Sequence, residues 1–169
     1  DFGENKVQEA VDKWSDIKKR NQNIKLHMIG KLQTNKVKYV IPLFDYIHSL
    51  DNLRLAEKIS LEQKKKNKNV KVFIQVNIGN EEQKGGVSTK ELSNFYEICK
   101  TKLNLNVIGL MCIPPKGTDM NEYFSSMKNL NVSLGLKELS MGMSSDYMDS
   151  IKHGSTFVRI GSKIFGKRD

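Results

Sequence analysis

Lys71-Val72-Phe73-Ile74-Gln75-Val76-Asn77-Ile78 (KVFIQVNI) is rich in β-branched residues and almost continuously apolar. A strand with one wet face alternates apolar and polar residues. Unbroken hydrophobicity instead predicts a strand buried on both faces, which a parallel sheet covered by helices requires. The flanking sequence supplies such helices. Upstream, Asn52 is placed to cap a helix with Leu53, Ala56 and Ile59 on one side. Downstream, a polar, glycine-containing loop over residues 81–86 precedes Ser88 and Glu91, a capping-box pair, and then Leu92, Phe95 and Cys99.

The same unit recurs outward in both directions. Asp1 to Glu4 reads as the end of a strand. Asn5, with Gln8 in a capping-box position, opens a helix whose apolar face is Val7, Ala10, Val11, Trp14 and Ile17. Ile24 to Ile29 is a short strand stopping at Gly30. Thr34 starts a helix with Val37, Val40 and Ile41 that ends near Pro42, and Phe44 to Leu50 is the next strand. Beyond the central stretch, Val107 to Ile113 is a strand closed by Pro114-Pro115. A helical stripe of Met120, Tyr123, Phe124, Met127 and Leu130 follows, and Leu136 to Met141 and Phe157 to Ile160 complete the series. Strands alternating with helices predict an α/β fold. The count alone leaves open a (β/α)8 barrel or a doubly wound open sheet, although no GxGxxG follows any strand.

With 169 residues, 38% of them hydrophobic, the chain is expected to form one domain over residues 1–169. No apolar run approaches a membrane span and no signal-peptide pattern is present, which predicts a soluble protein. Cys99 and Cys112 have neither CxxC nor metal spacing. They read as buried free thiols in a reducing compartment, and no metal site is expected. The net charge of +9 raises nucleic acid as a partner, yet the densest run, Lys64 to Lys68 (KKKNK), has no interleaved aromatics and reads as a solvated helix end.

Ser140 to Gly166 (SMGMSSDYMDSIKHGSTFVRIGSKIFG) carries the chemistry. A strand ending in Ser-Met-Gly-Met-Ser, a short helix from Ser144 or Ser145 to His153-Gly154, and a strand running into Gly161-Ser162 would bring together a hydroxyl, backbone N–H groups and Arg159. That set suits one anionic ligand. Turn glycines and a surface ion pair for Arg159 are the alternative.

The order of several motifs decides between these readings. Phe2-Gly3-Glu4-Asn5, His27-Met28-Ile29-Gly30 with Leu32-Gln33 and Asn35-Lys36, Gly109-Leu110-Met111, Ser140-Met141-Gly142-Met143-Ser144, Val158-Arg159-Ile160-Gly161 and Ile164-Phe165-Gly166 together resemble the pyridoxal phosphate homeostasis protein family. The resemblance implies a (β/α)8 TIM-type barrel of the alanine racemase N-terminal kind, with pyridoxal 5′-phosphate (PLP) at the C-terminal mouth of the strands. It further implies a Schiff-base lysine on the first strand, in a segment upstream of Phe2. The first strand and its lysine are therefore expected before Asp1, whereas Arg168-Asp169 matches the family's end.

By the same resemblance, Ser144, Gly161 and Ser162 hold the phosphate, Ser162 standing where threonine is more usual. Arg159 faces the pyridine nitrogen, and Asn5 lies near the ring hydroxyl and the upstream lysine, or else only caps its helix. Lys163 has no assigned role. His27 and Met28 are placed to line the mouth, with a hydrogen-bonded core position the commoner fate of such a histidine. Met111 and Met143 read as packing. Two functions follow: a non-enzymatic PLP carrier or buffer in vitamin B6 homeostasis, or an amino acid racemase. A racemase needs a second acid/base from another domain, which favours the carrier. The expected protein is a cytoplasmic monomer, with mitochondria as the other setting in a eukaryote, and apo PLP enzymes are the candidate recipients.

Overall fold

The computed structural model describes residues 1–81, 83–115 and 119–166. Glu82, in the expected polar loop, and the Arg168-Asp169 end lie outside the described residues. Among the described residues seven strands occur, β1 (Phe2–Glu4), β2 (Leu26–Met28), β3 (Tyr46–Leu50), β4 (Lys71–Gln75), β5 (Asn106–Met111), β6 (Glu138–Met143) and β7 (Phe157–Arg159). They form one sheet in sequence order, every neighbouring pair parallel, with β1 and β7 as its edges. The connections carry α1 (Val7–Arg20), α2 (Val37–Leu43), α3 (Leu53–Lys66), α4 (Leu92–Glu97), α5 (Met120–Ser133) and α6 (Tyr147–Lys152), and α7 (Ser162–Phe165) follows β7.

Alternation along each strand sorts side chains into two layers. Leu26 and Met28 of β2, Ile47 of β3, Val72 and Ile74 of β4 and Leu110 of β5 join Trp14, Val40, Ile59 and Phe124 in the core beneath the helices. Met28 is thus a helix-facing core residue and does not line the mouth as expected, because it alternates with His27. A fully buried side chain of this size contributes about 1.5–3 kcal/mol. On the opposite face, the Phe157 ring of β7 meets His27 of β2, Tyr46 and His48 of β3, and Phe73 of β4 at centroid distances of 5.8, 5.6, 5.9 and 5.2 Å. A flat sheet could not bring its seventh strand onto its second. The sheet is curled into a barrel with helices outside, one strand short of eight.

Two expected helix starts differ. The N-cap of α1 is Lys6, without a side-chain cap, and Gln8 donates to Asp12 at 3.1 Å, so the Asn5–Gln8 capping box does not form. Helix α6 begins at Tyr147, later than Ser144 or Ser145, because Asp146 Oδ1 accepts the Met143 N–H at 2.6 Å and fixes a turn between strand and helix. Asn52 Oδ1 caps α3 through the Leu55 N–H at 2.9 Å, as read. Before α4 the capping box forms only in part: the Ser88 hydroxyl accepts the Glu91 N–H and donates to the Glu91 carboxylate, but Glu91 itself is the N-cap, without a side-chain cap. Lys64 to Lys66 are exposed in the last turn of α3, and Asn67 ends it in the left-handed conformation. Lys68 is half-buried, and its ammonium donates to the carbonyls of Pro42 and Phe44, both at 3.0 Å, at the end of α2.

Among the described residues no helix is long and apolar enough to cross a membrane. Cys99 and Cys112 are free and buried, and burial pushes both thiols up to about 12.

Candidate functional site

The C-terminal ends of β6 and β7 lie side by side, with Met143 in register with Arg159. Ser144, the next residue, therefore adjoins the turn after Arg159. The Gly161 N–H donates to Ser144 Oγ at 3.2 Å, tying the two loops together. Gly161 is the N-cap of α7, and nothing lies within 4 Å of where its Cβ would stand, so this backbone is open to a ligand. The N–H groups of Ser162 and Lys163, in the first turn of α7, have no intrahelical acceptor. Lys163 itself places its ammonium 4.8 Å from the centroid of the Tyr147 ring, joining α7 to α6.

Gly142 makes this corner possible. It adopts φ +90°, and a Cβ there would lie 2.1 Å from Ser150 Oγ, so only glycine lets β6 pass so close to α6.

Arg159 extends inward from β7, two residues beyond Phe157 on the same face. Its Nη1 donates to Ser140 Oγ at 2.6 Å and its Nη2 to the Cys112 carbonyl at 2.8 Å. Both acceptors are neutral. Among the described residues no carboxylate forms an ion pair with this guanidinium. Burial lowers its pKa from the usual value, against weaker opposing effects of Cys112 and Asp146, but an arginine remains charged at any physiological pH. A half-buried cation whose protein partners are all neutral is suited to an anionic or electron-rich partner.

Behind Ser140 the polar groups continue. Ser140 Oγ lies 2.8 Å from His48 Nδ1, and His48 Nε2 lies 3.0 Å from His27 Nδ1. Both imidazoles are buried; burial first, then the neighbouring positive groups, keeps His48 well below its ordinary pKa and brings His27 to about 4. His27 stacks on Tyr46 at 4.2 Å and His48 on Phe73 at 4.3 Å.

Of the residues singled out from sequence, Ser144, Arg159, Gly161 and Ser162 are brought together. Asn5 is not joined to them by any hydrogen bond among the described residues. It follows β1 at the other edge, and its backbone packs on Gly30, where a Cβ would lie 2.1 Å from the Asn5 carbonyl oxygen. His27 occupies the core, hydrogen-bonded. Met111 is buried as expected for packing, whereas Met143 is 37% exposed. Ser140 and His48 were missed. The only signal for them was a polar residue inside an apolar strand, which in Tyr46-Ile47-His48-Ser49-Leu50 reads as an incidental core group.

The chain matches the family model "Alanine racemase, N-terminal domain" over residues 1–169. It is 42% identical over 176 residues to the pyridoxal phosphate homeostasis protein of Aquifex aeolicus, covering 99% of this chain and 76% of that one. With the protein of the same name from Synechocystis sp. it shares 38% identity over 177 residues, covering 99% and 81%. Among solved structures, PipY of Synechococcus elongatus with PLP bound superposes with a TM-score of 0.88 at 31% identity, over 98% of this chain and 81% of that one.

Proposed function

The chain belongs to the alanine racemase N-terminal domain family and, within it, to the pyridoxal phosphate homeostasis proteins, and from that premise we propose that it binds PLP at the mouth formed by β6 and β7. It acts as a carrier or buffer of the cofactor in vitamin B6 homeostasis. The observation that carries this reading is the half-buried Arg159 guanidinium, held by neutral acceptors only, beside the open Ser144–Gly161 backbone corner.

The residues suit the cofactor's two polar ends. Ser144, Gly161 and Ser162 hold the phosphate, through a hydroxyl and backbone N–H groups that need no ionisable side chain. Arg159 faces the ring nitrogen, and Asn5 lies toward the ring hydroxyl. Bound PLP supplies an electrophilic aldehyde and an electron-withdrawing ring. A permanently charged donor at the ring nitrogen opposes its protonation and leaves the ring a weaker electron sink. The chain's own groups thus favour retention over carbanion chemistry. A single binding domain, a monomer in the cytoplasm, and apo PLP enzymes as recipients accord with this role.

The test is PLP titration of the natural full-length protein, followed by absorbance and equilibrium dialysis, beside Cα proton exchange on a panel of amino acids. Binding without exchange is expected, and Arg159→Glu should weaken it on the order of a hundredfold and shift the cofactor spectrum. Unchanged binding and spectrum in that variant, or exchange at enzyme-like rates, would overturn the reading.

A further inference from the structure

The fold holds the Arg159 guanidinium through two hydrogen bonds that it donates to the protein. A guanidinium on a flexible stem loses considerable rotamer freedom when fixed. Its two protein acceptors come from different strands, Ser140 Oγ from β6 and the carbonyl of Cys112 just beyond β5.

One direction of donation satisfies all the hydrogen bonds behind it, and it assigns the histidine tautomers. Arg159 can only donate, so Ser140 Oγ accepts. The Ser140 proton then has His48 Nδ1 as its acceptor, at 2.8 Å. That leaves the His48 proton on Nε2, donated to His27 Nδ1 at 3.0 Å, and the His27 proton on its own Nε2, 3.5 Å from the Asp1 carboxylate. Both histidines are neutral in this order. The ring stacks on Tyr46 and Phe73 fix their planes.

We propose that Ser140 and His48 are positioning residues for PLP: the His27–His48–Ser140 chain, running across the barrel interior from β2 to β6, fixes the acceptor that aims Arg159 at the cofactor's ring nitrogen. This rests on the PLP reading above. Neither residue touches the cofactor. Their effect passes through Arg159 alone, so the two substitutions must interact rather than add.

The experiment measures PLP affinity and the absorption spectrum of the bound cofactor in the full-length protein for Ser140→Ala, His48→Phe, the double variant and Ser140→Thr. Side-chain NMR of labelled histidine on the ligand-free proteins accompanies it. Ser140→Ala and His48→Phe should each weaken binding on the order of tenfold with a displaced absorption maximum, and the double variant should be no weaker than the worse single one. Ser140→Thr, which keeps the hydroxyl, should stay within about threefold of the natural protein. The Ser140→Ala protein should also lose the single His48 tautomer. If Ser140→Ala fails to fold, His48→Phe, which keeps a ring against Phe73, decides. Natural affinity and spectrum in the single variants, or effects that multiply, would overturn the proposal. Failure of the unsubstituted protein to bind PLP is a separate result, and would overturn the PLP reading itself together with what is built on it.

Discussion

The Gly161 N–H and the Ser144 hydroxyl, 3.2 Å apart, join the loops after β6 and β7 through one exposed hydrogen bond. The bond is long and solvent-accessible, so it adds little to stability, and in the proposed function its value lies in the shape it gives the corner assigned to the phosphate. Ser144→Ala should weaken binding of both PLP and inorganic phosphate by about fivefold to tenfold while leaving the melting temperature within about 2 °C. Competition between the two ligands, read by absorbance, checks this, and an equal loss for pyridoxal without its phosphate would count against a phosphate role.

The buried histidines make stability pH-dependent in a defined direction. His27 has a pKa of about 4 in the fold, against 6.5 for an open chain, through burial first, with Lys18 acting in the same direction and Asp45 opposing. His48 is shifted the same way by burial, His27 and Arg159. Between pH 6.5 and 4 the unfolded chain takes up protons that the folded chain refuses, so stability falls as pH falls through that window and is unaffected by these groups above it. Melting curves across it should show the decline, and His27→Phe should flatten it. An equally steep decline in that variant would rule the linkage out.

Gly142 carries the sharpest steric constraint at the site. Its φ of +90° and the 2.1 Å approach to Ser150 Oγ mean that Gly142→Ala strains both the backbone and the contact with α6. A loss of about 2–4 kcal/mol is expected in chemical denaturation, larger than for Gly135→Ala, where φ is also positive but nothing lies within 4 Å.

Glu4 has a structural task that its place beside Asn5 conceals. Its Oε1 accepts from the Trp14 indole at 2.6 Å and from Lys13 at 3.0 Å, fastening α1 onto the end of β1. Glu4→Ala should cost about 1–2 kcal/mol. Because Trp14 is the chain's one tryptophan, the change should also appear as a shift in intrinsic fluorescence.

The alternation of elements was legible because it depends on local signals. Every strand expected from an apolar run is present, and Asn52 caps its helix as read. Ends were less legible where another segment competes. The run Lys71 to Ile78 leaves the main sheet after Gln75, since Val87 returns to donate to the Gln75 carbonyl and accept from Asn77. The Asn5 cap failed because the chain needs that backbone against Gly30. The Ser144–Gly161 corner could be read from glycines and hydroxyls near strand ends. The His48–Ser140 bond could not, since it spans 92 positions and exists only once the sheet has curled. No periodicity within either strand marks it.

Phe157 and Arg159 stand two residues apart on one short strand, the first plugging the barrel against rings from β2, β3 and β4, the second donating to Ser140 at the site proposed for PLP. A chain in which β7 has not docked therefore lacks the arginine as well as the plug. If PLP binds through Arg159 as proposed, only a molecule that has wound its sheet around can take it up, and binding in turn favours the wound form by mass action.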